Sequence, residues 1–446
     1  MESPHKSELD ELPQDAQEVK INPVDTNSLS RGEDVDSWTE EEEQRVKRKI
    51  DVRILPLLAI CYMLQLLDKT SLSGASILGI IQDLKLVGSQ YSWSSSIFYF
   101  GFLVFSYPTS VLMVKYPIGK YVSSTVIVWA GVIMLHAACY NWGGLMAVRA
   151  FLGVAEASCT PAFAILIGLF YKRSEQPSRQ NLWFLGQAVG GACGAIITWA
   201  VTFLEGALDT WQYLFLIYGA ATIVWGVVML LMLPDHPSTA RFFTLREREI
   251  ATRRLEYEST KRSSVYKKGQ VFEALMDPQV WFMALYTFTV HLANGGIAAF
   301  GVLVVSGLGF DKRTTLLLQA PIAGFQMIFI VTGILATHYF QNARLYVMIF
   351  LVSCSLTGMT MVYAIDPVRS VARYCGYCLT TGYVACLPTA LSIITSNVTG
   401  HTKRSTALGM MVRFLYSHIG GSPEVALTPE TCLERRYWLS ADDPSP

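Results

Sequence analysis

Charge is scarce in this 446-residue chain. Only 16% of its residues are Asp, Glu, Lys or Arg, against roughly 25% in a soluble domain, and 35 acidic residues cancel 35 basic ones. No long basic run exists outside short clusters beside apolar segments, so no nucleic-acid partner is expected. There is no glycine-rich phosphate loop, no metal-ligand cluster and no nucleophile constellation, which argues against an enzyme and against any cofactor. Of the nine cysteines, Cys61, Cys139, Cys159, Cys193, Cys354 and Cys386 lie in apolar runs, where packing explains them better than disulfides do. The "CGYC" at 375–378 copies a redox motif but sits in an apolar segment without a βαβ context. A signal peptide is missing too: residues 1–36 are acidic, contain Ser and Pro and have no apolar core, and read as a disordered cytosolic tail.

What the chain has instead is apolar length, with 52% hydrophobic residues. Runs of about 18 to 25 such residues are the signal of membrane-crossing helices. They fall near Ile54 to Leu72, Tyr91 to Val114, Val122 to Cys139, Leu145 to Phe170, Leu182 to Leu204, Tyr213 to Leu233, Val280 to Val305, Leu316 to Thr337, Leu345 to Ala364 and Tyr374 to Thr395. The fold class is therefore an all-α polytopic membrane protein. A first bundle of six helices occupies 37–233, a cytosolic linker whose charge pattern reads as solvated 234–279, an incomplete second bundle of four to five helices 280–421, and a polar tail 422–446. "QRVKRKIDVR" before the first run, Lys115, Lys120, "KRSEQPSR", the linker, Arg344 and "HTKR" all share one side. The positive-inside tendency makes that side, and the amino terminus, cytosolic. "WTEEEEQRVKRKID" reads as a short helix entered through Thr39, with Glu42 as the capping-box partner.

Ionisable residues at a helix centre cost about 2.5 to 3.5 kcal/mol on insertion scales, so they normally face a bundle interior or a wet cavity. This chain has a small set: Asp68 and Lys69 in "QLLDKTSLSGAS", Arg149 and Glu156 in "RAFLGVAEASCTP", and His291 and Asn294 in "HLANGG". Seven helical residues turn through about 700°, placing Arg149 and Glu156 on one face about 10.5 Å apart along the axis. They do not reach each other; Asp68 is the complement for Arg149 and Lys69 for Glu156. One reading is a structural ion-pair lattice. Another is a binding and relay site in which cations hold an anion and a desolvated carboxylate accepts and releases a proton. Arg149 alone also fits a snorkelling role. In "NLWFLGQAVGGACGA", Gly186, Gly190 and Gly194 form a small-residue stripe for close helix packing, with Gln187 beside it as a candidate ligand contact. Prolines 108, 161, 321 and 388 are candidate kinks. His291 reads either as a structural hydrogen-bonding group or as a proton carrier.

"LDKTSLSGAS", "RAFLGVAEASCTP", "YKRSEQPSR", "LMLPDHPSTARFFTLRERE", "ANGGIAAFGVLVVSGLGF" and "NVTGHTKR" resemble the anion:cation symporter branch of the major facilitator superfamily, in particular the fungal allantoate permease group. The resemblance runs from Trp38 to Arg404. It implies two pseudo-symmetric six-helix halves that rock around a central site, and proton-coupled uptake of a small organic anion such as allantoate, ureidosuccinate, nicotinate or a related vitamin. By the same resemblance Asp68 and Glu156 are the proton-coupling acids. Lys69 and Arg149 are the substrate-binding cations, and Gln187 and Asn294 line the cavity. Phe102 stands where many members carry a tyrosine, with Tyr99 close by, and "VKYPIGKYV" replaces a common superfamily loop. A monomer in the plasma membrane, working on an organic anion and protons, is expected.

The carboxy terminus departs from that pattern. "STALGMMVRFLYSHIGG" is barely long enough for an eleventh helix, and the residues after it contain no twelfth; a truncated product or a gene-model error is the expectation for this ending. Two other functions compete. An efflux transporter beside a biosynthetic pathway is one, although "GGACGA" has no glycine-proline motif of the kind antiporters carry. A non-transporting remnant or sensor is the other.

Overall fold

The computed structural model describes residues 38–172, 175–260, 268–339, 344–366, 368–386 and scattered positions between 389 and 411. Of the expected eleventh helix only Thr406, Ala407, Met410 and Met411 are among the described residues, all of them helical, and the polar tail lies outside them. Every regular element among those described is helical.

The chain enters through α1 (Glu40–Leu78), a single helix of 39 residues capped as expected: Thr39 accepts from the Glu42 amide while Glu42 accepts from the Thr39 amide. The sequence predicts a short helix and a separate span here. Instead no glycine interrupts residues 40–54, and the two are continuous over about 58 Å. A short α2 (Ile80–Asp83) turns the chain into α3 (Gln90–Lys115), followed by α4 (Ile118–Leu135). The predicted fourth span is two helices, α5 (Trp142–Glu156) and α6 (Cys159–Phe170). Pro161 explains the break, because its ring excludes the carbonyl of residue 157 from a continuous helix. By contrast Pro56, Pro108 and Pro321 sit inside helices that continue through them.

α7 (Gln176–Val201) and α8 (Thr210–Met232) complete the first group of spans. The linker holds α9 (Leu245–Thr260) and α10 (Lys268–Met276). Then come α11 (Pro278–Ser306), the short α12 (Lys312–Leu317), α13 (Gln319–Tyr339), α14 (Arg344–Ala364) and α15 (Ser370–Thr380), which runs into a 3₁₀ turn over Thr381–Ala385. Among the described residues, seven spans meet the length and hydropathy needed to cross a membrane. The protein is a multi-pass membrane protein.

The expected glycine stripe works as a contact surface. Gly186, Gly190 and Gly194 of α7 face Ala59, Met63 and Leu67 of α1, residue for residue at the same four-residue spacing. A Cβ on Gly190 would stand 2.9 Å from the Met63 carbonyl oxygen, and one on Gly186 would overlap the Ala59 backbone. Gly186→Val is therefore expected to destabilise by roughly 1 to 3 kcal/mol or more, the range for overpacked cores. Gly194→Ala presses on the flexible end of Leu67 and meets the Tyr218 hydroxyl at an ordinary 3.6 Å, and should fall at the low end of that range. Thermal melting of the detergent-solubilised protein, followed by size-exclusion recovery, measures both.

α9 does not float in solvent, as its charge pattern suggests. Ile250 and Ala251 are buried and Arg254 is fully so. The Arg254 guanidinium donates to the Phe170 carbonyl at 2.7 Å and lies 3.8 Å from Glu43 and 3.5 Å from Glu175. Lys49 reaches Glu247 at 2.6 Å. Partial burial pushes the Glu247 carboxyl up, but the Lys49 ammonium and the Thr244 amide outweigh it and hold that carboxyl below its usual range. The linker helix is thus clamped to the ends of α1 and α6. Arg254→Ala removes the donor to the Phe170 carbonyl, while Glu43 keeps Lys172 and Glu175 keeps Lys47; the expected loss is therefore about 1 to 3 kcal/mol, and limited proteolysis should then cut the linker faster.

Candidate functional site

α1 presents Gln65, Asp68 and Lys69 at helical positions i, i+3 and i+4, one face of the helix. α5 brings Arg149 and Glu156 to meet them. Its approach to α3 depends on Gly153: a Cβ there would overlap the Phe98 carbonyl, so glycine lets the two backbones touch. Asp68, Arg149 and Glu156 are 1%, 3% and 0% exposed. Arg149 therefore points into the protein and does not snorkel.

Lys69 Nζ lies 3.1 Å from Glu156 Oε1, the pairing expected from charge complementarity. The other expected pairing is not made. No ion pair joins Asp68 to Arg149 among the described residues, although the two lie within electrostatic range. With the Trp129 indole within electrostatic range, both Asp68 oxygens are without a hydrogen-bond partner among the described residues. The same holds for both polar atoms of the Gln65 amide and for Nε and Nη2 of Arg149. Buried polar groups are ordinarily hydrogen-bonded, so such a concentration in one place requires an explanation.

The site is walled by aromatics that sequence reasoning left aside or undervalued. The Phe102 ring centroid lies 6.0 Å from Lys69 Nζ, so this phenylalanine offers a π-face in place of a hydroxyl. The Tyr99 hydroxyl is within electrostatic range of both Arg149 and Tyr383. Tyr383, in the 3₁₀ turn after α15, donates to Asn294 Oδ1 of α11 at 2.8 Å. Asn294 is thus near this centre from the second group of helices, while Gln187 on α7 is half-buried and makes no side-chain hydrogen bond among the described residues. The His291 side chain lies outside the described residues. Another group that the sequence did not flag is His136. It is fully buried against Phe215, its ring stacked at 4.6 Å, and it is within electrostatic range of Arg149.

The end of the bundle opposite the linker is sealed across the two groups of helices. Tyr91 of α3 donates to the Ala299 carbonyl of α11 at 3.0 Å and packs edge-on against Phe300. Arg313 lies 4.4 Å over the Phe203 ring. Val302 and Leu316 join the main apolar cluster of the first group. At the linker end the ion pairs among the described residues stay within α1, α6, α7 and the linker, or join Lys403 to Glu273 and Asp277.

A helical membrane bundle with a charged, largely unpaired centre at the contact of two helix groups is the architecture of a secondary transporter. Residues 58–422 match the family model described as Major Facilitator Superfamily, and the chain belongs to that family. An uncharacterized transporter of Schizosaccharomyces pombe is 34% identical, covering 88% of this chain and 74% of the relative. The allantoate permease of Saccharomyces cerevisiae is 30% identical, covering 86% and 73%. Among solved structures, a bacterial homolog of the lysosomal transporter Spinster in an inward-facing, unoccupied conformation aligns with TM-score 0.67 at 16% identity, over 91% of this chain and 86% of that one. The similarity extends the fold along nearly the whole chain. The protein is a transporter, not an enzyme.

Proposed function

We infer that the protein couples movement of a small organic anion to movement of a proton, with uptake into the cytosol as the working direction. The observation that carries this reading is the charge balance of the buried centre. Counted at their ordinary charges, Asp68 and Glu156 contribute two negative charges and Lys69 and Arg149 two positive ones, and three of the four are at most 3% exposed. An anion entering this low-dielectric centre brings it to minus one, which is costly in a site removed from water. One proton entering with the anion restores neutrality.

Glu156 is the acceptor that best fits. When ionised it occupies Lys69 at 3.1 Å; when protonated it releases that ammonium to a substrate carboxylate. Arg149, whose Nε and Nη2 have no partner among the described residues, supplies the second anchor, and a guanidinium suits a carboxylate bidentately. Asp68 is the second proton-linked acid, and Asn294 with Gln187 shapes the uncharged end of the ligand. The name of the allantoate permease relative supports a ureido carboxylate as the class of cargo. If the linker end is cytosolic, the seal at Tyr91 and Ala299 closes the outer end, an inward-facing arrangement.

Accumulation of labelled allantoate, ureidosuccinate, nicotinate and pantothenate at acidic external pH tests the reading. At least one should accumulate above its equilibrium level and collapse when a protonophore is added. Equilibration of every anion from surface-localised protein, with or without the gradient, would sink it.

A further inference from the structure

We propose that the linker-end stem of α1 carries a binding site for the phosphate headgroup of an anionic membrane lipid. Arg45, Arg48, Lys49, Val52 and Arg53, together with Phe242 of the linker, line a groove of about 400 Å³. At about 100° per residue the five α1 positions fall within an arc of about 140°. The acids Glu43 and Asp51 lie on the opposite side, where they are consumed by Lys172 and Arg179. The stem thus sorts its charges: one face is neutralised against α6, α7 and α9, and the other presents cations outward.

Three of those cations are uncommitted. Lys49 is held by Glu247, whereas Arg45, Arg48 and Arg53 are exposed and enter no ion pair among the described residues. Glu41 and Glu42 share their face but stand about a turn farther from the membrane, and Glu42 is engaged by the Thr39 cap and by Arg246. Arg53 directly precedes the apolar run that begins at Ile54, so the groove lies at the level of the lipid headgroups. Its remaining lining is apolar: Val52 is 64% exposed and Phe242 is half-buried. A free phosphate ion would gain nothing from these two side chains. A phospholipid places its phosphate among the guanidiniums and its glycerol backbone on Val52 and Phe242, and so uses both.

The test is native mass spectrometry of the delipidated full-length protein, titrated with phosphatidylserine, with phosphatidylcholine, and with phosphatidylserine in the presence of millimolar inorganic phosphate. Phosphatidylserine should bind in preference to phosphatidylcholine. The triple variant Arg45→Gln, Arg48→Gln, Arg53→Gln should weaken it by roughly a hundred-fold, about five-fold per arginine. The pair Arg246→Gln, Arg253→Gln on α9 removes exposed arginines outside the groove and should leave binding unchanged. If the triple variant folds poorly, Arg53→Gln alone should still show the five-fold loss. Unchanged phosphatidylserine binding in the triple variant and in Arg53→Gln would overturn the proposal, and so would displacement of the lipid by inorganic phosphate. The readout is lipid retention and does not depend on any transported substrate.

Discussion

Glu156→Gln should eliminate gradient-driven accumulation while leaving exchange of anion across the membrane intact. The amide keeps the shape of the carboxyl group and cannot take up a proton, so the anion no longer brings one with it. A pH difference of one unit is worth about 1.4 kcal/mol, a factor of ten in concentration. Native protein should therefore build up its cargo about ten-fold per unit of inward gradient, and the variant should stop at the equilibrium level. The amide also imitates the protonated state and leaves Lys69 without its partner at 3.1 Å. Exchange in the variant should be at least as fast as in the native chain. Counterflow of labelled against unlabelled anion, measured beside net uptake, separates the two effects.

Lys69→Ala has the second large effect, and it acts on both folding and binding. It leaves Glu156, which is fully buried, without a counter-charge, a situation that costs about 3 to 5 kcal/mol. It also removes one of the two cations that an anion would meet, and truncating one partner of a buried charge pair costs at least about 2 kcal/mol, some thirty-fold in affinity. The double change Lys69→Ala with Glu156→Gln separates these contributions. It should recover most of the lost stability, because no carboxylate is stranded, and none of the binding. Lys69→Arg should retain binding in part, since the charge persists while its geometry changes. Melting temperature and cargo-dependent thermal stabilisation report the two quantities on one sample.

The spans and the charged centre were legible because each rests on a local rule. The apolar run beginning at Leu345 marks α14 (Arg344–Ala364) within one residue, and the Gly186, Gly190, Gly194 stripe names its own packing surface by spacing alone. The pairing of Lys69 with Glu156 followed from complementarity, because a long side chain can search for its partner. Asp68 and Arg149 obeyed the same complementarity and are not joined, since α5 packs on α3 and α4 and not directly on α1, a placement that no local pattern in the sequence determines. Tyr383 and His136 escaped notice for a related reason. Nothing in the sequence around a tyrosine or histidine says which one ends up beside an arginine from another helix; Tyr383 reaches Asn294 across 89 residues of chain. Arg254 misled the reading of the linker, because a charged helix can be solvated or clamped, and its partners Glu43, Phe170 and Glu175 come from distant stretches.

The central claim is that one proton accompanies the anion because the buried centre tolerates no net charge. Proteoliposomes loaded with a pH-sensitive dye test it most directly, by adding an anion that the uptake assay has identified, without any imposed gradient. The account predicts that the interior acidifies as the anion enters through native protein, and that anion exchange through Glu156→Gln leaves the dye unchanged. Anion entry through the native protein with no change in internal pH, or acidification that persists in Glu156→Gln, would contradict it.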